Sequence, residues 1–290
     1  MTGTSTEPGP DAVTPPPAPK ASRAGRNLPA AIAVGVLLGA GLLVALLTVR
    51  EIFVGIVAAA VAVSTVELAG ALNRAGGIRI ALWPVLIGGQ AMVWLSWPFG
   101  RNGVLAAFVL TVLTCMVWRL GQGAAGYVRD LSASVLTAAY VPLFASFAAM
   151  MVVPADGTAR VLCFLILVVS SDTGGYIAGV LFGRHPMAPA ISPKKSWEGF
   201  AGSMTAGIVA GILCLTLLLP GQWWQGALFG AALVLTATLG DLVESLIKRD
   251  LGIKDMGALL PGHGGLMDRM DSLLPSAVVS WLLLRLFIPG

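Results

Sequence analysis

The side chains best suited to chemistry lie in one segment near the end of a largely apolar chain. Residues 241–272, DLVESLIKRDLGIKDMGALLPGHGGLMDRMDS, hold six of the 14 acidic residues. Asp241, Ser245 and Lys248 recur at helical spacing, so they share one face of a helix. Because a carboxylate within an apolar span is costly, Asp241 is expected to face a water-filled cavity or the protein interior, with a cation as its partner.

Two more carboxylates stand at the entrance to the last apolar run. Asp268 and Asp271 are three residues apart, so both side chains can reach one point. Carboxylate oxygens from two helix ends form a hard ligand set of the kind that Mg²⁺ accepts, with positions left for phosphate oxygens and water. We therefore expect Asp241, Asp268 and Asp271 to bind Mg²⁺.

The sequence LPGHGG lies between these acidic residues. Gly262, Gly264 and Gly265 allow a tight turn whose backbone can approach a phosphate, and His263 can donate a hydrogen bond to the same group. Four cationic side chains accompany the turn: Lys248, Arg249, Lys254 and Arg269. A loop that only followed the charge bias of membrane proteins would lack the interleaved acidic residues, so we interpret the segment as a phosphate-binding site.

A second polar segment, residues 170–199, interrupts the sixth apolar run. Asp172 lies beside serine, threonine and glycine residues, which predicts a broken or cavity-lining helix. Lys194, Lys195 and Ser196 precede a helix start, where a nucleotide phosphate can bind. The alternative is a buried aspartate satisfied by neighbouring hydroxyl groups, next to an ordinary basic loop.

The rest of the chain must position these segments in a bilayer. The 290 residues are 57% hydrophobic and 11% charged, whereas a soluble domain carries about 25% charged residues. We predict an all-α, polytopic integral membrane protein with one catalytic domain over residues 28–290, because backbone exposed to lipid must be helical. Nine stretches approach or reach the length of a bilayer span: 28–49, 52–72, 80–97, 103–118, 131–153, 159–182, 199–219, 225–247 and 272–288.

The basic residues predict the orientation. With nine spans and a cytoplasmic N-terminus, fourteen of the 18 Lys and Arg residues lie on the cytoplasmic side, together with both polar segments. The site is therefore expected at the cytoplasmic face of the cell membrane, and the absence of a long basic tract argues against nucleic acid as a partner.

Residues 1–27 are rich in proline and are predicted to be a disordered cytoplasmic tail. Glu67 and Arg119 are interpreted as helix-packing or snorkelling side chains.

The two polar segments resemble those of phosphatidate cytidylyltransferases. The resemblance rests on SLIKR at 245–249, KDxG at 254–257 and LPGHGGLxDRMD at 260–271, with DTGGY at 172–176 and SPKKSWEG at 192–199 upstream. It covers roughly residues 170–272, while the first five spans agree only in being hydrophobic.

The resemblance implies transfer of CMP from CTP to phosphatidate, giving CDP-diacylglycerol and pyrophosphate. It implies a requirement for Mg²⁺, with K⁺ as a candidate second cation. The expected partners are CTP, phosphatidate and membrane lipid, and a homodimer is the assembly considered. The residues expected to contact phosphates in catalysis are Lys248, Arg249, Lys254, His263 and Arg269. Those expected to bind substrate are Asp172, Lys194, Lys195, Ser196, Ser245, Gly262, Gly264 and Gly265.

Two alternatives stay open at this point. A secondary transporter also carries intramembrane aspartates and broken helices, although its polar segments commonly recur in two halves of the chain. Another CTP-dependent enzyme acting on a lipid phosphate, or a lipid kinase, is the nearer alternative. A CDP-alcohol phosphotransferase is disfavoured, because the motif-like residues 156–160 are one residue short in spacing and the later acidic residues are missing.

Overall fold

A computed structural model describes residues 39–259 and 264–289 of the chain. Seven helical segments among them are long and apolar enough to cross a membrane, which makes this a multi-pass membrane protein. In chain order the helices are α1 Gly39–Thr48, α2 Arg50–Gly76, α3 Leu82–Leu120, α4 Tyr127–Ala138, a π-helical turn Ala139–Leu143, α5 Phe144–Met151, α6 Gly157–Phe182, α7 Trp197–Leu217, α8 Trp223–Asp250, α9 Met267–Met270 and α10 Leu273–Phe287.

The helix count differs from the nine predicted spans, and α3 accounts for part of the difference. Gly100 has non-helical backbone angles, φ 52° and ψ −138°, two residues after Pro98. Beyond it the chain folds back, because a Cβ on Gly88 would lie only 1.8 Å from Oγ1 of Thr111. In an unbroken helix these residues would be about 34 Å apart. The predicted spans 80–97 and 103–118 are therefore two antiparallel halves of one segment.

The first predicted span is the other part of the difference. Of residues 28–49, the described portion forms only the ten-residue helix α1. The predicted tail, residues 1–27, lies outside the described residues. The all-α architecture itself is confirmed, since the described chain is helical apart from connecting loops and one two-stranded sheet.

Helices α6, α7 and α8 pack backbone to backbone along a seam of glycines. A Cβ on Gly174 of α6 would lie 2.8 Å from the carbonyl oxygen of Gly202 in α7. A Cβ on Gly211 of α7 would lie 2.2 Å from the carbonyl oxygen of Gly226 in α8. Small residues let membrane helices approach this closely. The seam therefore holds α6 against the start of α7, and the later part of α7 against the beginning of α8.

The polar stretch between α6 and α7, expected to be a loop, contains a short hairpin. Strands β1 Pro186–Ala188 and β2 Ser192–Ser196 pair antiparallel, with Pro186 opposite Ser196. Strand β2 leads directly into α7, whose N-cap Ser196 accepts a hydrogen bond from the Gly199 amide at 3.1 Å. The predicted helix start after Ser196 is thus confirmed, and the hairpin fixes where Lys194 and Lys195 stand relative to α7.

Candidate active site

A cavity of about 510 Å³ lies where the ends of four structural units meet. Its walls are the C-terminal half of α6, strand β2 with the start of α7, the C-terminal part of α8, and α9 with the start of α10. Both polar segments of the sequence contribute to it, although nearly seventy positions separate Asp172 from Asp241. The fold therefore unites the two segments that the sequence singled out.

Most of the predicted site residues line this one cavity. They are Asp172, Lys194, Lys195, Ser196, Asp241, Ser245, Lys248, Asp268, Arg269 and Asp271. Arg249, Lys254, Gly264 and Gly265 are not among its lining residues. Gly262 and His263 lie outside the described residues. The one-face prediction for Asp241, Ser245 and Lys248 is confirmed, because all three side chains belong to the same wall.

An ion pair joins the two polar segments across the cavity. The Lys195 ammonium Nζ lies 2.6 Å from Oδ2 of Asp241, and both side chains keep between a quarter and a third of their surface accessible. The sequence predicted a cation beside Asp241, and β2 supplies it. Because the pair is only partly buried, both groups can exchange this contact for a charged ligand entering the cavity.

A second cluster of charges forms the deep wall of the cavity. Lys248 forms an ion pair with Glu244, one helical turn earlier in α8, and its Nζ lies 3.1 Å from Oδ1 of Asp268. Glu244 and Asp268 expose 1% and 4% of their side chains. Two buried carboxylates on one ammonium form a strongly coupled group, in which loss of the cation would leave two uncompensated charges.

Asp268 also fixes the loop before α9. Its carboxylate accepts hydrogen bonds from the Met256 amide at 3.0 and 3.1 Å and from the Gly265 amide at 2.9 Å. With Lys248 as a further donor, both oxygens of Asp268 are occupied by the chain itself. Asp268 therefore shapes the segment that carries Arg269 and Asp271 into the cavity.

The predicted metal set remains a prediction. Asp241, Asp268 and Asp271 share the cavity, yet no three Asp, Glu, His or Cys side chains within residues 39–259 and 264–289 form a group that could hold a metal ion. Asp271 accepts a hydrogen bond from the Ser272 amide at 2.7 Å through Oδ1. Asp241 and Asp271 are the two with fewer contacts to the chain, because Asp268 is taken up by the loop.

Asp172 lies on an unbroken helix. The sequence allowed a broken or a cavity-lining helix, and α6 runs without interruption from Gly157 to Phe182. The expectation of a break is therefore wrong, and the cavity-lining one is confirmed. In α7 the Ser203 hydroxyl donates to the carbonyl oxygen of Ser171 at 2.7 Å, which places α7 directly against the turn that carries Asp172.

Arg249 contacts the hairpin and does not line the cavity. Its Nε donates to the carbonyl oxygen of Ile191 at 3.3 Å, so the end of α8 holds the turn of the hairpin. At the base of the hairpin, Oε2 of Glu198 accepts from the backbone amides of Arg184 and His185 at 3.2 Å each, and Oε1 lies 2.5 Å from Nδ1 of His185. The strand with Lys194 and Lys195 is thus anchored at both ends.

Sequence reasoning missed Glu244 as a site residue. Glu244 is completely buried, lines the cavity and pairs with Lys248. The signal was present, because an acidic residue four positions before a lysine on a helix predicts an ion pair.

Arg119 was interpreted as a packing or snorkelling residue, and it packs: its guanidinium lies 2.7 Å from Asp130 of α4, with both side chains 3% exposed.

The architecture defines a multi-pass membrane protein with a charged cavity at one end of its helices. The model of the cytidylyltransferase family matches residues 29–287, so the chain belongs to that family. The chain is 55% identical to a phosphatidate cytidylyltransferase of Mycobacterium leprae, over 91% of this chain and 89% of that protein. It is 54% identical to the phosphatidate cytidylyltransferase of Mycobacterium bovis, over 93% and 92%. The phosphatidate cytidylyltransferase of Staphylococcus haemolyticus is 38% identical over half of this chain.

Proposed function

We propose that the chain transfers CMP from CTP to phosphatidate, giving CDP-diacylglycerol and pyrophosphate for phospholipid biosynthesis, and that the reaction takes place in the charged cavity. The activity follows from family membership and from relatives of that activity that are 54–55% identical over nine tenths of the chain. This separates the enzyme from the transporter that the sequence alone left open. The observation that supports the location is the convergence of lysines, an arginine and carboxylates from four structural units on one cavity.

The chemistry requires positioning and charge neutralisation more than a strong base. The phosphate of phosphatidate is ionised near neutral pH, so its oxygen can attack the α-phosphorus of CTP directly. A new P–O bond forms there while the bond from the α-phosphorus to the bridging oxygen breaks, and the electron pair leaves with pyrophosphate. Lys194, Lys195, Lys248 and Arg269 surround this volume, and their charges oppose the negative charge of the phosphates.

We propose that Asp241 and Asp271 hold Mg²⁺, since both oxygens of Asp268, the third residue of the predicted set, already accept hydrogen bonds from Lys248, Met256 and Gly265. Their fit is supported by the oxygen-only donor set and by the Lys195 ammonium 2.6 Å from Asp241, which shows that this carboxylate faces a cation inside the cavity. When bound, Mg²⁺ would neutralise phosphate oxygens and the departing pyrophosphate. Both K⁺ as a second cation and a homodimer stay predictions.

We propose that the cavity faces the cytoplasm from the inner membrane. The segments around it, residues 183–198 and 248–271, carry most of the basic residues of the C-terminal half, as the positive-inside bias requires of cytoplasmic loops. CTP would then enter from the cytoplasm. The headgroup of phosphatidate would enter from the same leaflet, with its acyl chains left in the bilayer.

Substitution of the two aspartates with fewer contacts to the chain tests this proposal. Purified Asp241→Asn and Asp271→Asn variants in liposomes are expected to release pyrophosphate from CTP and phosphatidate at least about 100-fold more slowly than the unchanged protein. Glu51→Gln, at the exposed start of α2, is the control and should retain the full rate. Near-normal rates in both aspartate variants would show that the cavity is not where the reaction occurs.

A further inference from the structure

Helix α2 reaches the loop that leads into the cavity, although it belongs to the half of the chain without polar motifs. Its C-terminal part meets the described stretches 256–259 and 264–270 of this loop and α9 through three side chains. Oγ of Ser64 lies 3.2 Å from the sulfur of Met270, Glu67 binds the backbone at Met267, and Arg74 reaches the carbonyl oxygen of Met256 at 3.5 Å. The loop thus rests on α2 at both of its ends.

We propose that Glu67 is a positioning residue for the cytidylyl transfer reaction. Its Oε2 accepts a hydrogen bond from the Met267 amide at 2.8 Å, across 200 residues of sequence. Met267 is fully buried and immediately precedes Asp268. The contact therefore fixes the backbone at the first turn of α9, from which Asp268, Arg269 and Asp271 enter the cavity. This inference rests on the proposed role of that cavity.

Two glycines of the loop leave the space that the Glu67 carboxylate occupies. A Cβ on Gly257 would lie 2.2 Å from Oε1 of Glu67, and a Cβ on Gly265 would lie 2.7 Å from its Oε2. Neither separation is possible for real atoms, so any larger residue would displace the carboxylate or the loop. Gly257 and Gly265 belong to the KDxG and LPGHGG sequences, and their contact with Glu67 gives a physical reason for glycine at both positions.

The loop is held from the other side by Asp268. The same Asp268 carboxylate that faces Lys248 accepts hydrogen bonds from the amides of Met256 and Gly265. Gly265 therefore lies between two carboxylates, since its Cβ position would be 2.7 Å from Glu67 and 2.9 Å from Asp268. A change at Glu67 would reach the cavity through this shared backbone.

Simple packing does not account for a carboxylate here. A buried acidic oxygen costs free energy that an apolar side chain of the same size would avoid, and Oε1 of Glu67 is fully shielded from solvent. The carboxylate is suited to this position because the backbone amide of Met267 needs an acceptor. Helix α2 supplies that acceptor to a backbone amide 200 residues further along the chain.

The first test compares three variants in liposomes. Glu67→Ala removes the acceptor and is expected to lower kcat by about 100-fold, because a small displacement of positioned groups is enough for such a loss. Glu67→Gln keeps an acceptor oxygen and should stay within about threefold of the unchanged enzyme. Glu51→Gln on the same helix should leave kcat unchanged. In hydrogen–deuterium exchange, the amides of 264–267 should exchange faster in Glu67→Ala only.

The second test uses the contact with Gly257. Gly257→Ala should lower kcat sharply when Glu67 is present, because the new methyl group meets the carboxylate. In the Glu67→Ala background the same change should cost less than about threefold, so the two substitutions should be clearly non-additive. Additive effects would contradict the contact. If Glu67→Ala does not fold, a large loss of kcat in Gly257→Ala with a nearly unchanged kcat in Glu67→Gln would still support the proposal. An unchanged kcat in Gly257→Ala would contradict it.

The outcomes separate this inference from the location of the active site. Full kcat and normal exchange in Glu67→Ala, with Asp271→Asn inactive, would overturn the role of Glu67 and leave the cavity as the active site. Full activity in Asp241→Asn and Asp271→Asn would overturn the cavity. The exchange measurement does not depend on catalysis and would still report whether Glu67 holds the loop.

Discussion

Two of the ion pairs among the described residues have different surroundings. Arg119 and Asp130 join α3 to α4 with both side chains 3% exposed. Lys195 and Asp241 join β2 to α8 with 27% and 29% of their side chains exposed, at the edge of a cavity. The closed pair can only stabilise the helices that it joins. The open pair can give up its contact to a ligand, and this difference distinguishes scaffold charges from site charges.

The largest expected effect is at Lys248, because its carboxylate partners are buried like the closed pair while Lys248 lines the cavity like the open pair. Lys248→Met should lower the free energy of unfolding by about 3–5 kcal/mol, because Glu244 and Asp268 would remain buried without a cation. Pyrophosphate release should also fall by at least about 100-fold. Thermal unfolding in detergent and the CTP-dependent assay measure the two effects.

A double variant separates the two effects of Lys248. Lys248→Met with Glu244→Leu removes one of the buried charges and should recover part of the stability without recovering activity. Recovery of activity in the double variant would mean that Lys248 acts only on the fold.

The closed pair should show the opposite pattern. Arg119→Met is expected to lower the free energy of unfolding by about 3 kcal/mol, since Asp130 would keep only the more exposed Arg129 at 3.0 Å. Turnover per folded molecule should stay unchanged. Arg119→Met with Asp130→Leu should restore stability, measured by the same thermal unfolding. A loss of turnover without a loss of stability would make this pair part of the site.

The open pair should matter for turnover and little for stability. Lys195→Met should slow pyrophosphate release by about tenfold to 100-fold, while the unfolding free energy changes by less than about 1 kcal/mol, because the pair is partly exposed. The KM for CTP and the KM for phosphatidate, measured separately, will show which substrate Lys195 meets. If Lys195→Met lowered the free energy of unfolding as much as Arg119→Met, the proposed difference between the two pairs would be wrong.

The smallest effect is expected at the cap of α7. Ser196→Ala removes the acceptor for the Gly199 amide and should cost about 1 kcal/mol in unfolding free energy. Ser196→Asp keeps an acceptor and should cost less. Because Ser196 also lines the cavity, a rate loss beyond that of a weaker cap would indicate direct contact with substrate.

The sequence predicted which residues share the cavity better than it predicted the number of helices. Asp241, Ser245 and Lys248 could be placed on one face because helical periodicity fixes the relative direction of side chains. The charge bias placed both polar segments on the cytoplasmic side, but no spacing could show that Asp172 and Lys195 meet that face, since contacts between distant segments depend on packing. The chain reverses at Gly100, between the two spans that the sequence predicted. The two counts differ there because the structure records both spans as one continuous helical segment, α3.

Glu244 and Glu67 show what a linear pattern leaves out. Glu244 could have been found from its distance to Lys248 along the helix. Glu67 could not, because its partners Met267, Gly257 and Gly265 lie about 200 residues away and contribute backbone amides or empty space. Asp268 was expected to be a metal ligand, and nothing in its spacing indicated the three backbone and side-chain donors that surround it.

The glycine seam between α6, α7 and α8 restricts how this chain can change over evolutionary time. Leucines on the outer surface, such as Leu217 at 75% exposed, pack against no other part of the described chain that would restrict their shape, so other apolar residues can replace them at little cost. At Gly174, Gly211 or Gly226 even a methyl group would force two backbones apart, and the walls that carry Asp172, Lys195 and Asp241 would separate with them. Amino-acid substitutions are therefore expected to be tolerated at the exposed apolar positions and to be rare at the glycines of the seam.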